Sequence, residues 1–172
     1  MNDTAPTPAP VQDDRFGELR VRLEGQESLL VEGEAIPRIT LDRAPDSEKD
    51  DHIAIGTRDP EQLTLRIDGT PAKLTPSKGR LTRRSYAVDV DHAGTSYRLV
   101  PDSVPSSRLV RDGLHIGDFS SDGDGRVIAE WREDAKIEPL DAAVGYALAA
   151  AFGTGAQPMW MMAIDAVATA LP

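Results

Sequence analysis

Residues 140–152 read LDAAVGYALAAAF, and the architecture of the protein follows from this run of apolar residues. Its one charge is Asp141, and apolar side chains cover every face of the helix that the composition predicts. Pro139 suits the first turn of a helix and Gly153 interrupts the run, so we predict a helix near 140–152. A helix that is apolar on every side is enclosed either by protein or by lipid.

The segments before this helix have the two-residue periodicity of β-strands. Leu19, Val21 and Leu23 alternate with charged residues, which is the pattern of a half-buried strand. Asp68-Gly69 and Asp112-Gly113 are hairpin signals between two such segments. The spacing predicts roughly ten short strands. They begin around Leu19–Leu23 and continue as Ser28–Val31, Ile36–Leu41, His52–Gly56, Leu63–Ile67, Ala72–Leu74, Tyr86–Val90, Ser96–Val100, Arg108–Val110, Leu114–Ile116 and Arg126–Trp131.

A ring of strands around the apolar helix satisfies both patterns. We therefore predict a mainly β protein with a C-terminal α element: a closed or nearly closed antiparallel barrel of about 10–12 short strands around that helix. Small residues such as Ala143, Gly145 and Ala147 would let the strands approach the helix closely.

The rest of the chain divides into a tail and one domain. Residues 1–14, rich in proline and acids, are expected to form a disordered tail, and residues 15–172 a single domain. The acidic stretch Ala44–Asp51 is expected to be a mobile loop. The apolar pattern resumes at Pro158 and predicts a second helix near 158–170.

Burial in lipid is the alternative for the apolar segment. The run 142–164 carries no charge and is long enough for a bilayer, which needs about 20 apolar residues. It is rich in alanine and glycine, and no Lys or Arg flanks it, so burial in protein is the favoured interpretation. The alternative function is a soluble β domain that is tail-anchored to a membrane by residues 142–164.

Charge and cysteine content limit the classes of function. Lys+Arg 19 against Asp+Glu 29 gives a net charge of −10, which argues against a nucleic-acid partner because phosphate would be repelled. Cys 0 excludes a disulfide scaffold, a thiolate nucleophile and a cysteine-ligated metal. Residues 1–14 lack the basic start and apolar run of a secretory signal, so we expect a cytoplasmic protein.

The order of the segments resembles a known family. The stretches that carry the resemblance are Tyr97–Leu99, Arg108–Gly113 and Ile116–Phe119, followed by Trp131 and the apolar helix. This arrangement is similar to the tubby-like barrel, which the tubby C-terminal domain shares with phospholipid scramblases and the plant LURP-one-related proteins. The resemblance implies a barrel of about twelve strands around a central helix. It also implies association with membranes or phosphoinositides, as in some members, or no assigned activity, as in others.

Two loops resemble ligand motifs without matching them. In the stretch Asp118–Gly125, a calcium loop would need an acidic ligand where Ala129 stands, so a hairpin loop is the better interpretation. Gly153-Thr154-Gly155 has the first spacing of a dinucleotide loop, but Pro158 replaces the third glycine. We therefore expect no cofactor.

No motif names a reaction. The histidines His52, His92 and His115 lack partners at metal-ligand spacing, and no Gly-x-Ser-x-Gly elbow supplies a nucleophile. A hydrolase in which acids converge in a cleft is a further class without a motif. Its candidate residues are Asp89, Asp91 and Asp118.

The feature that points to a function is a local excess of positive charge. Between Asp68 and Asp89 there is no acidic residue, and five basic residues lie there. Such a segment attracts a phosphate or an anionic lipid headgroup, while a charged strand edge is the alternative interpretation. We therefore predict a non-enzymatic binding or scaffolding module, with an anionic lipid, a membrane surface or a protein as its partner. The predicted binding residues are Lys73, Lys78, Arg80, Arg83 and Arg84.

Overall fold

The predicted fold class is confirmed. The computed structural model describes residues 10–78, 83–103, 106–121 and 126–155, with the backbone alone for residues 83 and 84. It is a mostly β structure in which one antiparallel sheet forms a nearly closed barrel, with a single described α-helix. The second predicted helix, near 158–170, lies outside the described residues.

Eleven strands in the described ranges follow one another around the barrel in chain order, and each pairs antiparallel with the next. Inward side chains alternate with exposed ones along most strands, as the sequence periodicity predicted. The strands are β1 Val11–Asp13, β2 Gly17–Glu24, β3 Ser28–Gly33, β4 Ile36–Arg43, β5 Leu63–Ile67, β6 Thr70–Pro76, β7 Val88–His92, β8 Thr95–Ser103, β9 Ser106–Arg111, β10 Leu114–Ser121 and β11 Val127–Trp131.

The two ends of the barrel differ in their connections. One end, here called the turn end, carries the two-residue hairpins Asp68-Gly69, Ala93-Gly94 and Asp112-Gly113, in which both residues have positive φ. These are type I′ turns, whose twist matches that of the paired strands. The opposite end, the loop end, carries the two long connections 44–62 and 77–87. Residues 79–82 of the second connection lie outside the described residues.

The helix α1, Pro139–Phe152, fills the inside of the barrel. Buried residues lie on every side of it, which confirms that the all-apolar pattern is enclosed by strands. Residues 142–152, the first half of the proposed membrane anchor, are therefore part of the barrel core. No helix in the described ranges is long and apolar enough to cross a bilayer.

A buried carboxylate fixes the start of α1. Asp141 is fully buried, and its Oδ1 accepts a hydrogen bond of 2.6 Å from the Tyr97 hydroxyl. Its Oδ2 accepts from the Arg111 guanidinium and from the backbone N–H of Glu138, which closes a capping box. Burial, followed by the hydrogen bond to Asp141, raises the pKa of Tyr97 far above its ordinary value, so this hydroxyl stays a donor.

A second carboxylate joins the first strand to the last. Asp13 lies in β1 and is buried, and its Oδ2 accepts from Trp131 Nε1 at 2.9 Å and from the Tyr146 hydroxyl at 2.7 Å. These bonds connect β1, β11 and α1 where the barrel is nearly closed. Residues 11–13 of the tail predicted for residues 1–14 therefore belong to a strand, and residues 1–9 lie outside the described residues. The acidic composition gave no sign of the three-residue strand β1, because its acid, Asp13, accepts hydrogen bonds inside the barrel.

Gly145 sets the distance between α1 and the wall. A Cβ atom built on Gly145 would lie 2.7 Å from Phe119 Cε2 and 3.0 Å from Leu109 Cδ2. Phe119 also packs edge-to-face on Tyr146, with ring centroids 5.3 Å apart, so its ring is held from a second side. The close approach that the sequence predicted for Gly145 is therefore present.

We expect Gly145→Ala to destabilise the protein by about 1–3 kcal/mol, because the ring of Phe119 must move. Chemical denaturation measures the change. The intrinsic effect of Gly→Ala in a helix has the opposite sign, about 1 kcal/mol in favour of alanine. An increase in stability would therefore show that the ring has room to move, and would contradict the close packing.

Candidate binding site at the loop end of the barrel

The loop end of the barrel carries the two long connections between strands. Residues 44–62 join β4 to β5, and a loop of this length in a compact domain usually has a functional role. The segment 44–51 was expected to be mobile, yet buried groups hold it. Arg43 donates hydrogen bonds to the carbonyl oxygen of Gln26 at 2.7 Å and to Ser47 Oγ at 2.7 Å. Gln26 Nε2 in turn donates to the carbonyl oxygens of Asp50 and Ile53, both at 2.8 Å.

The predicted strand His52–Gly56 is wrong, because this stretch forms turns inside the long loop. Its apolar residue Ile55 is fully buried against the end of α1 instead of against a neighbouring strand. The backbone N–H of Ile55 donates to the carbonyl oxygen of Ala151 at 3.1 Å. The loop thus satisfies one of the carbonyl groups that the last turn of α1 leaves without a helical partner.

Arg58 connects the two long loops and the helix. Its guanidinium lies 5.2 Å from the Tyr86 ring centroid and 5.4 Å from that of Phe152, the last residue of α1. It also donates to the carbonyl oxygens of Ser77 at 2.8 Å and Tyr86 at 3.3 Å. Burial lowers the pKa of Arg58 from its ordinary value. Because Ser77 N also donates to the carbonyl oxygen of Ala87 at 2.9 Å, both ends of the segment 78–85 are held together.

Residues 78–85, called here the basic segment, contain four of the five predicted binding residues. Lys78 is exposed beside the long loop, and Arg83 and Arg84 lie in a short 3-10 helix, Arg83–Tyr86. Arg80 lies outside the described residues. Four positive charges thus occur within eight residues, with no acid among them.

The structure separates Lys73 from this group. Lys73 lies on the outer wall in β6, in register with Asp91 of β7. It is three residues before the end of β6 at Pro76, and Lys78 lies two residues beyond that end. Of the five predicted residues, Lys73 thus lies on the barrel wall and Lys78 at the loop end. Closeness in the sequence does not place Lys73 with Lys78, because β6 ends between them.

Lys78 shares a surface groove with acidic residues. The groove runs between the long loop and the start of the basic segment, and Lys49, His52 and Arg58 also line it. Its acidic lining residues are Asp46, Glu48, Asp50, Asp51, Asp59 and Glu61. Lys78 therefore borders a surface of the opposite charge.

Two of the acids considered for catalysis, Asp89 and Asp91, line one surface depression on the barrel wall, but Asp118 does not. Asp89 forms a two-point contact with Arg98, with Arg98 Nε 2.7 Å from Asp89 Oδ1. Asp91 accepts from Ser96 Oγ at 2.6 Å, and Asp118 lies three strands away. Its Oδ1 is 3.0 Å from Nε2 of the histidine in the same strand, His115. Within the part of the chain that the structure describes, no group of three or more His, Cys, Asp or Glu side chains is arranged to hold a metal ion.

The two glycine-containing motifs have structural roles where they are described. Ser121 pairs with Val127, so the stretch from Asp118 belongs to the β10–β11 hairpin, as predicted, although residues 122–125 are outside the described ranges. At the end of α1, the hydroxyl oxygens of Thr154 and Ser121 are 2.9 Å apart. Gly155 N donates to Ser107 Oγ at 2.7 Å, so this segment ties the end of α1 to the barrel wall.

Sequence reasoning missed the residues that organise this end. Arg43 and Arg58 carry no local signal, because each acts on carbonyl groups and rings that are distant in the chain. The charge run at 78–84 was visible because it is contiguous. No protein-family model matches this chain, and neither the curated proteins nor the solved structures contain a significant match.

Proposed function

We propose that this protein is a cytoplasmic, non-enzymatic binding module that recognises an anionic phosphate group through the basic segment at the loop end of its barrel. The observation that carries the proposal is the closure of segment 78–85 by Arg58, which holds the backbone at Ser77 and Tyr86. The closure brings together the two ends of a segment whose sequence carries four positive charges, at Lys78, Arg80, Arg83 and Arg84. A multiply charged anion gains more from such a group than from separate lysines and arginines.

Binding is proposed in preference to catalysis because of what occupies the interior. Side chains of α1 fill the barrel, so the accessible surfaces are outer walls and loops. Lys and Arg side chains on a loop suit a binding role that needs charge but no precise alignment of reacting groups.

Membership of the tubby-like barrel superfamily is part of this proposal. An eleven-stranded antiparallel barrel around one apolar helix supports it at the level of architecture. Lipid headgroups and soluble phosphates share the chemistry that the segment would bind. The experiment below therefore includes both.

The test is binding of the full chain to vesicles that contain phosphatidic acid, compared with neutral phosphatidylcholine vesicles. Lys78, Arg80, Arg83 and Arg84 are replaced together by serine. Each basic residue near an anionic membrane contributes about 1 kcal/mol, so we expect at least a roughly tenfold loss of affinity even with screening by salt. A second arm titrates inorganic phosphate to distinguish a free anion from a lipid surface.

The matched control removes the same charge elsewhere. Arg20, Arg66, Arg132 and Lys136 are exposed residues outside the loop end, and all four are replaced by serine. We expect this variant to keep most of the wild-type affinity. Equal losses in the two variants would show that net charge alone controls binding, and unchanged binding in the first variant would rule out the segment as the site.

A further inference from the structure

We propose that the acidic residues of the long loop, Glu48, Asp51 and Glu61 among them, act as an internal competitor of the anionic ligand at Lys78. This inference rests on the proposed function and adds its regulation. The loop attracts the cation that the ligand needs, and it repels the ligand itself. Both effects lower the affinity of the loop end for an anion.

The first step of the argument is proximity. Lys78 lines the same groove as six acidic residues of the long loop. Two of these, Asp50 and Asp59, accept hydrogen bonds from backbone N–H groups and help to shape the loop. Glu48, Asp51 and Glu61 are exposed, and in the described part of the chain their carboxylates have no ion pair or hydrogen bond. Their charge is therefore available to the groove.

The second step is that the acids cannot move away from the groove easily. Arg43 and Gln26 bind the backbone of the loop on one side, through Ser47, Asp50 and Ile53. Arg58 ties the other side to the carbonyl oxygens at either end of the basic segment. The long loop and Lys78 are consequently held next to each other, and an anion that approaches Lys78 also meets the acids.

The third step concerns the range of the interaction. Charges in water are screened over about 8 Å at physiological ionic strength, so acids in the same groove act more on Lys78 than acids at the turn end do. Removing nearby acids should therefore increase anion affinity more than removing distant acids. The difference should shrink as salt is added, because screening weakens both the competition and the repulsion.

The experiment neutralises three acids at a time in the full chain. The rim variant carries Glu48→Gln, Asp51→Asn and Glu61→Gln. The control variant carries Glu18→Gln, Glu130→Gln and Glu133→Gln, which are exposed residues toward the turn end. Binding to phosphatidic acid vesicles is measured at low and at physiological salt. We expect about fivefold tighter binding for the rim variant at low salt, and less than a twofold change for the control.

The possible outcomes separate this inference from the proposed function. If both variants gain affinity equally, the acids act through net charge and the internal competitor is disproved, while binding at the basic segment stands. If the rim variant gains affinity and Lys78→Ser in that variant removes the gain, the competition at Lys78 is supported. If no protein binds anionic vesicles or phosphate, the proposed function itself fails.

Discussion

A chain that ends at Glu138 is expected to lose the folded structure completely. The deletion removes α1, whose residues from Asp141 to Ala149 are all buried inside the barrel. The inward side chains of the strands would then face a water-filled space. Each large apolar side chain exposed in this way lowers the free energy of unfolding by about 1.5–3 kcal/mol. Marginal stability of about 5–15 kcal/mol cannot tolerate this loss, so the shortened protein should aggregate.

The matched control is a chain that ends at Gly155. It keeps α1, the bond between the Thr154 and Ser121 hydroxyl oxygens, and the bond from Gly155 N to Ser107 Oγ. Both chains are compared with the full chain by thermal unfolding and by fractionation between soluble and membrane pellets. We expect the chain ending at Gly155 to unfold cooperatively. Soluble, cooperatively folded protein ending at Glu138 would contradict the role of α1 as the core.

Asp141→Ala is expected to destabilise the protein by about 3–5 kcal/mol, because it leaves one partner of a buried ion pair without the other. The Arg111 guanidinium and the Tyr97 hydroxyl both donate to the Asp141 carboxylate. The backbone N–H of Glu138 would lose its acceptor as well, which weakens the cap of α1. Denaturant unfolding, followed by circular dichroism, measures the change.

The control for this prediction is Asp89→Ala, which breaks an ion pair on the outer wall. Arg98 is 58% exposed in that pair, and an exposed pair contributes about 0–1 kcal/mol. Removing both charges of the buried pair, with Asp141→Leu and Arg111→Met, should be less damaging than the sum of the two single changes. Similar small losses for Asp141→Ala and Asp89→Ala would show that the burial of Asp141 has no energetic consequence.

The barrel and its helix were predictable because both follow from side-chain periodicity. Alternation at Leu63, Leu65 and Ile67 matches a strand with one face inside, and the all-apolar run at 140–152 matches a helix enclosed by protein. The prediction of a strand at His52–Gly56 was wrong for a physical reason. Short apolar stretches satisfy the strand pattern equally well when one residue, here Ile55, inserts beneath a loop.

The binding site was only partly predictable. Positive charge at 78–84 is contiguous in the sequence, so composition alone identified it. The position of this segment relative to Lys73 depends on where β6 ends. The residues that lie beside Lys78 depend on the path of the long loop 44–62 between β4 and β5. The acidic side of the groove is brought to Lys78 by bonds from Arg43, Gln26 and Arg58, and none of these contacts has a local sequence pattern.

The position of α1 in the chain has a consequence for synthesis. All eleven strands precede it, and each pairs with the next one along the chain, so hairpins can form in microseconds as soon as they leave the ribosome. Their apolar faces nevertheless stay uncovered until residues 139–152 have been translated. The nascent barrel is therefore prone to aggregate throughout most of its synthesis, and the helix completes folding in one late step.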